Sequence, residues 1–306
     1  EFSCDLDMKK SPLHQQVETL PNLVREMHND LKQRANHAFP RELCRHIGRV
    51  YITGCGDSHH AALNMELAFE QLAGLPCEPQ TAMQFSRYAA EFIPKAANKI
   101  NLLIGVSVSG QASRTIEAVD LGRQAGATTV AITGNLQAPL AQVAEITFET
   151  AVPPLPDELA GLIVPGTRSY LASQLALLIL ALHLGQMRDH LTESTANELG
   201  FELFGMADLM EETIIKCDTA TYEAAQSWQD EKGFVFCGSG PNYGTASFSA
   251  AKLLEASGDE AMAQDMEEWA HLQYFARHKS TPTIIISAAD RDMDRALEIA
   301  TAAHRI

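Results

Sequence analysis

Apolar runs of strand length alternate with longer segments of helical period along most of this chain, and that alternation admits few folds. The run Leu102-Leu103-Ile104-Gly105-Val106 has no polar position, so a strand built from it must be covered on both faces. Strands of this kind separated by helices make a mostly parallel sheet with helices on either side, an α/β architecture. The pattern predicts strands over 49–54, 76–80, 101–106, 128–133 and 145–149. Helices are expected over 58–73, 82–91 and 113–125 between them, and over 21–46 ahead of them. "VPPLPDE" at 152–158 can continue neither a helix nor a central strand. Beyond it, 166–188 and 196–229 read as long helices. Strands over 233–238, 259–263 and 282–287 then alternate with helices over 243–257, 265–278 and 290–305.

At 306 residues the chain is long enough for two hydrophobic cores. The expected organisation is an N-terminal helical segment (1–45), a first α/β domain (46–190), and a linking helix with a second domain (191–306) that stops two strands short of the first. The two series also resemble one another. "VYITGCGDSHHAALNMELAFEQLAG" and "FVFCGSGPNYGTASFSAAKLLEASG" each pass from an apolar strand through Cys-Gly into an alanine-rich helix ending at glycine. Pairing Cys55 with Cys237 gives 19 residues to Gly74 and 21 to Gly258, and Gln84-Phe85 falls opposite Glu268-Trp269. This reads as an internal duplication.

With 39 acidic against 23 basic residues, the formal charge is −16 and no basic stripe interrupts it, which argues against nucleic acid as a partner. An anionic ligand would have to be held by local N–H groups, hydroxyls and a few placed cations. The six cysteines include no CxxC pair and read as reduced thiols of a cytoplasmic protein. The apolar stretch at 170–187 contains Ser173, Gln174 and His183, so it reads as a buried core helix rather than a membrane span. No secretory signal opens the chain, and its start at Glu1 instead of Met reads as processing or trimming.

Ligands of open parallel sheets bind beyond the carboxyl ends of the strands, at helix N-termini. Three hydroxyl-bearing segments fall at such ends: Ser58, Ser107-Val108-Ser109-Gly110, and Thr133-Gly134-Asn135. Each could simply cap its own helix. Their occurrence on neighbouring loops, with Gly110 free to curl the backbone into a nest of N–H groups, favours an anion cradle. "GCGDSHHA" reads G-x-G-x-x-H and "GSGPNYG" spaces its third glycine too far, so no dinucleotide cofactor is expected. His59 and His60 are adjacent and lack a partner at ligand spacing, so no metal is expected either. Glu255, flanked by alanine and leucines, reads either as a buried carboxylate suited to general-base work or as an exposed residue near a helix end. His271 follows Glu268 by three residues, a spacing at which a carboxylate can orient an imidazole.

Taken together, "CGDS" at 55–58, "SVSGQASRT" at 107–115, "GTRSYLASQL" at 166–175 and "AAKLLEASG" at 250–258 resemble the tandem sugar isomerase (SIS) domain proteins. These include the isomerase half of glucosamine-6-phosphate synthase and the deglycases of fructosyl-amino-acid phosphates. The resemblance covers roughly residues 45–306 and implies two doubly wound domains with central parallel sheets. It implies that Ser58, Ser107, Ser109, Ser113, Thr167 and the N–H groups around Gly110 hold a phosphorylated sugar, with Gly56 and Glu268 in support. Glu255 falls on the catalytic glutamate and His271 on the ring-opening histidine, which is commonly contributed across a homodimer interface. The implied chemistry is proton transfer between the first two carbons of the opened sugar, ending in isomerisation, deamination or deglycation. It requires neither metal nor organic cofactor. Several positions depart from the pattern: Ala112 and Asp57 replace threonines, and Leu272-Gln273 replaces Gly-Pro after the histidine. These departures keep open a sensor that binds a sugar phosphate without chemistry. There is no glutaminase segment in the sequence, so glutamine-dependent synthesis is not expected.

Overall fold

The computed structural model describes residues 11–95, 98–155, 164–277, 280–288 and 291–305, which leaves Cys4 and the end of the proline-rich stretch outside it. The chain divides into two compact units, Glu1–Cys217 and Asp218–Ile306.

Five parallel strands build the first unit: β1 (Ile47–Gly54), β2 (Cys77–Thr81), β3 (Ile100–Val106), β4 (Thr128–Thr133) and β5 (Ile146–Glu149). Their order is β2-β1-β3-β4-β5. The chain runs outward from β1 to β2 and then restarts on the other side at β3, so the topological switch point lies between β1 and β3.

The helices are α1 (Pro12–Glu18), α2 (Leu20–Ala38), α3 (Arg41–His46), α4 (Asp57–Ala73), α5 (Ala82–Gln84), α6 (Ser113–Gln124), α7 (Pro139–Val143), α8 (Arg168–Met187) and α9 (Glu193–Ser227). The single helix expected over 21–46 is broken at Phe39-Pro40, because a residue before proline is pushed out of the helical region; Phe39 sits at φ −124°, ψ 77°. The sequence pattern also missed α1, which opens on the Ser11 hydroxyl accepting from His14 N at 3.1 Å. After α5 the backbone widens into a π turn over Phe85–Ala89 and tightens into a 3-10 turn over Ala90–Phe92.

Both sheet faces are covered. On one, Tyr51 and Leu103 pack with Phe85 and Ala118. On the other, α4 lies against β1 and β2, and α8 packs on α4 and α2. Helix α2 buries the stripe Leu23, Val24, Met27, Leu31 and Ala35, the spacing of a one-sided helix. Helix α8 is long and apolar enough to cross a membrane, but most of it is buried inside the unit, as the sequence reading of a core helix expects.

In the second unit, β6 (Gly233–Gly238), β7 (Glu260–Gln264) and β8 (Thr283–Ile286) form a parallel sheet ordered β7-β6-β8, with α10 (Pro241–Ser257), α11 (Met266–His271) and α12 (Met293–Arg305). Val235, Cys237, Met266, Trp269, Ala296 and Ile299 make its core. The helix expected over 265–278 stops at His271: Leu272, at φ −123°, ψ −70°, leaves the helical region, and a 3-10 turn over Gln273–Phe275 follows.

Helices α4 and α10 are both 17 residues long, follow glycines of matching conformation (Gly56 and Gly240) and end at left-handed Gly74 and Gly258. In this register Ser239, not Cys237, stands opposite Cys55. The glycines carry the correspondence because the backbone demands them; the cysteines flank it by chance.

Candidate functional site

The loops following β1 and β3 meet at the switch point. After β1 the chain turns at Gly56 (φ 55°, ψ −128°) and enters α4, whose first residues are Asp57 and Ser58. After β3 it passes Ser107, Val108, Ser109 and Gly110 (φ 66°) to Ala112, which precedes Ser113 at the start of α6. Neither α4 nor α6 is capped by a side chain, so their first N–H groups face the crevice without an internal acceptor of that kind. Ser58 and Ser113 lie inside their helices, which removes the capping explanation for both. The hydroxyls of Ser58, Ser107 and Ser113 make no hydrogen bond among the described residues. That of Ser109 accepts from Gln111 N at 3.3 Å.

The β3 loop is braced from β4. Thr133 Oγ1 donates to Val108 O at 3.2 Å, Gly134 N to the same carbonyl at 3.0 Å, and Leu140 N to Gly110 O at 3.2 Å. A side chain at Gly110 would press its Cβ to 2.4 Å from Ala138 Cβ and 2.9 Å from Thr133 Oγ1. Thr133, a third hydroxyl candidate from the sequence, therefore holds the loop in shape. Across the crevice, Cys55 Sγ lies 3.7 Å from the buried Thr115 Oγ1 of α6, joining the two loops.

Asp57 occupies the positive end of α4, where a carboxylate is stabilised, and sits 3.8 Å from His60 Nδ1. His59 is pushed down to about 4, chiefly by burial and then by His60, and its Nδ1 has no partner. Its imidazole stays neutral at physiological pH. The two rings tilt at 52° with centroids 6.4 Å apart, and the described residues hold no group of three or more potential metal ligands.

Thr167 sits just before α8, where its N–H (2.8 Å) and hydroxyl both donate to Gln16 Oε1. It ties α1 to the start of α8. Beside it a cleft of about 520 Å³ runs past Ser109, Gln111, Asn135 and Arg168. Asn135 belongs to a segment the sequence reading singled out, whereas Gln111 and Arg168 were not named as site residues. Gln111 follows the end of β3, which is the signal that would have found it.

In the second unit the acid/base candidates are solvent-facing. Glu255 has 47 % of its side chain exposed and pairs with Lys252, three residues back on α10. The buried stripe of α10 runs through Gly244, Ala246 and Ala250, and Glu255 falls off it despite its leucine neighbours. The buried setting considered for it is thus corrected. Lys252 is the enclosed member, 11 % exposed and 5.2 Å from the centre of the Phe248 ring. His271 is 67 % exposed and pairs with Glu267 at 3.3 Å, so its carboxylate partner is the residue four before it and not Glu268. At the carboxyl end of this sheet, Ser239 donates to Asp265 Oδ2 at 2.6 Å and Ser287 to Asp292 Oδ1 at 2.7 Å. These two hydroxyls are already engaged by the unit's own carboxylates, whereas Ser58, Ser107 and Ser113 are open.

Residues 44–183 match the family model described as the SIS domain. This stretch of the chain is an SIS domain. The match spans β1 to β5 and most of α8, and the second unit lies outside it. Over 287 residues the chain is 26 % identical to glutamine--fructose-6-phosphate aminotransferase [isomerizing] of Gloeobacter violaceus, covering 93 % of this chain and 45 % of that protein. The chain thus spans about half the length of the curated relatives it matches. The C-terminal domain of glucosamine-fructose-6-phosphate aminotransferase from Francisella tularensis superposes with a TM-score of 0.81 at 20 % identity, over 98 % of this chain and 82 % of that one. Tagatose-6-phosphate ketose/aldose isomerase from Escherichia coli superposes with a TM-score of 0.68 at 16 % identity, over 97 % and 78 %. At such identities the superpositions speak for the fold.

Proposed function

We propose that the SIS domain binds the phosphate of a phosphorylated sugar between its β1 and β3 loops, and that the chain moves a proton between the first two carbons of that sugar. The observation that carries the reading is the convergence of two helix starts without side-chain caps and three open serine hydroxyls at the switch point of the sheet. Ser58, Ser107, Ser109 and Ser113 with the N–H groups around Gly110 form the cradle. Gly56 shapes its turn. Neutral donors suit a protein whose overall charge of −16 repels anions. Relatives named as an isomerising aminotransferase and a ketose/aldose isomerase support the sugar-phosphate class.

Glu255 is proposed as the group that moves the carbon-bound proton and His271 as the one that moves the ring-oxygen proton, with the second unit as a reduced SIS-like repeat. Isomerisation, deamination and deglycation all share this transfer, and a homodimer acting in the cytoplasm is the expected form. A non-catalytic phosphosugar sensor is the second reading, favoured by the outward-facing positions of Glu255, which pairs with Lys252, and of His271, which lies beside Glu267.

A thermal-shift panel of ketose, aldose and amino-sugar phosphates, followed by product analysis on the compounds that bind, tests both. Catalysis requires product with the wild type and loss of turnover with retained binding in Glu255→Gln. Binding without product for every compound would leave the sensor. No binding at all would sink the cradle.

A further inference from the structure

Arg168, the first residue of α8, is 8 % exposed. Its Nη1 donates to Thr19 Oγ1 and its Nη2 to Pro153 O, each at 2.8 Å, and both acceptors are neutral. Its Nε has no partner. Arg188, in a comparably enclosed position, spends its Nε and Nη1 on the carbonyls of Ala73, Cys44 and Ile47. The exposed arginines Arg41 and Arg45 share Asp189. Arg168 forms no ion pair with any described carboxylate, and burial weakens its hold on its proton, offset only through space by Glu26. A buried cation is stable when an anion faces it, and here the protein supplies none at contact distance.

Arg168 lines the 520 Å³ cleft together with Gln16, Ser109, Gln111, Asn135 and Ser169, and it is the one charged side chain among the described residues there. Ser109 belongs both to this cleft and to the phosphate cradle. A ligand seated in the cradle can therefore extend into the field of Arg168. The guanidinium is itself buried, so its field is screened less than that of a surface cation.

We propose that the cleft receives a carboxylate carried by the phosphosugar, with Arg168 as its counter-charge. One guanidinium balances one carboxylate, and the described lining holds no second cation for a phosphate dianion. The remaining lining of amides and hydroxyls can donate to carboxylate oxygens but cannot neutralise them. The substrate class becomes acidic sugar phosphates, or sugar phosphates bearing an acid substituent. This rests on the cradle reading, and the test separates the two.

Titration calorimetry of the full chain with 6-phosphogluconate and with glucitol 6-phosphate compares ligands that differ only in a carboxylate against a hydroxymethyl group. The expected result is at least about tenfold tighter binding of 6-phosphogluconate, a gap that narrows as salt is added. Arg168→Gln should close the gap and leave glucitol 6-phosphate within about twofold, while Arg168→Lys should keep part of it. Equal affinities in the wild type would overturn the carboxylate site and leave the cradle standing. If neither compound binds, the cradle reading falls and the proposal with it. The wild-type comparison needs no variant, so a misfolded Arg168→Gln does not remove the test.

Discussion

Gly56 and Gly240 hold the same backbone conformation, φ 55°, ψ −128° and φ 54°, ψ −131°, each at the entrance to a 17-residue helix. That region is open to glycine and strained for residues with a Cβ. At neither position would a Cβ meet an atom within 4 Å. Substitution by alanine should thus cost backbone strain alone, about 1–3 kcal/mol. Urea unfolding checks it: both Gly56→Ala and Gly240→Ala should lower the midpoint. Gly200→Ala, inside α9 with equally open space, should raise stability by up to about 1 kcal/mol. A neutral Gly56→Ala would mean that the turn is not as described.

The open hydroxyls predict a separation of stability from binding. Ser58 and Ser113 give no hydrogen bond to the fold, so Ser58→Ala and Ser113→Ala should leave stability within about 0.5 kcal/mol. Each removes a donor to the proposed phosphate, so affinity for a bound hexose phosphate should fall about tenfold, roughly 1.4 kcal/mol. Thr167→Ala should do the opposite, losing stability through the broken link to Gln16 with little direct effect on the ligand. Matched thermal-unfolding and titration series read both quantities, and equal behaviour of Ser58→Ala and Thr167→Ala would contradict the assignment.

The central strands were legible because they are largely apolar runs, residues 102–106 of β3 the clearest, while β2 and β7 are mixed in composition. Residues 128–133 and 233–238 match β4 and β6 end to end. The break before Pro40 carried its signal in the proline itself and was overlooked; the early end of α11 turns on the torsions of Leu272, which no residue type marks. The meeting of the β1 and β3 loops was legible because strand order and helix starts follow from the same alternation. The surroundings of Glu255 and His271 differ from the reading for another reason: Glu255 is half exposed and His271 meets Glu267. Burial on a helix is set by the face it turns inward, so leucine neighbours at one position say little, and Glu267 rather than Glu268 meets His271 because four residues bring side chains over one another on α11. Arg168 escaped notice because a cation at the head of an apolar helix looks like an ordinary solvated end until its burial is known.

His59 should make the fold acid-sensitive. Its imidazole is held near 4 in the folded chain against 6.5 when unperturbed, because charging it would place a cation in a buried site next to His60. Between those values the unfolded chain binds the extra proton and the folded one does not. Its contribution is therefore complete above 6.5, declines as pH falls through the window, and is gone below about 4, an effect on the order of 3 kcal/mol. His183 is lowered by burial as well and acts in the same direction. Denaturant unfolding at pH 7 and pH 5 should show less dependence on pH in His59→Gln than in the wild type. An unchanged slope would show that His59 is not the buried neutral group described.

The cysteines give a label for the cradle itself. Cys44 and Cys237 are buried, and burial pushes their thiols up to about 11 and 12; Cys77 is raised still further. Only the thiolate reacts readily, so these three should resist a thiol reagent under native conditions. Cys55 and Cys217 are exposed and should react. Their surroundings differ: Cys55 lies between β1 and Gly56, with Sγ 3.7 Å from Thr115 on α6, whereas Cys217 is on the surface of α9. A hexose phosphate seated between the β1 and β3 loops should slow modification of Cys55 and leave Cys217 unchanged. Mass spectrometry of peptides labelled with and without the ligand distinguishes the two sites. Equal protection of both would indicate a global effect, and protection of neither by a compound that binds would place the phosphate away from the switch point.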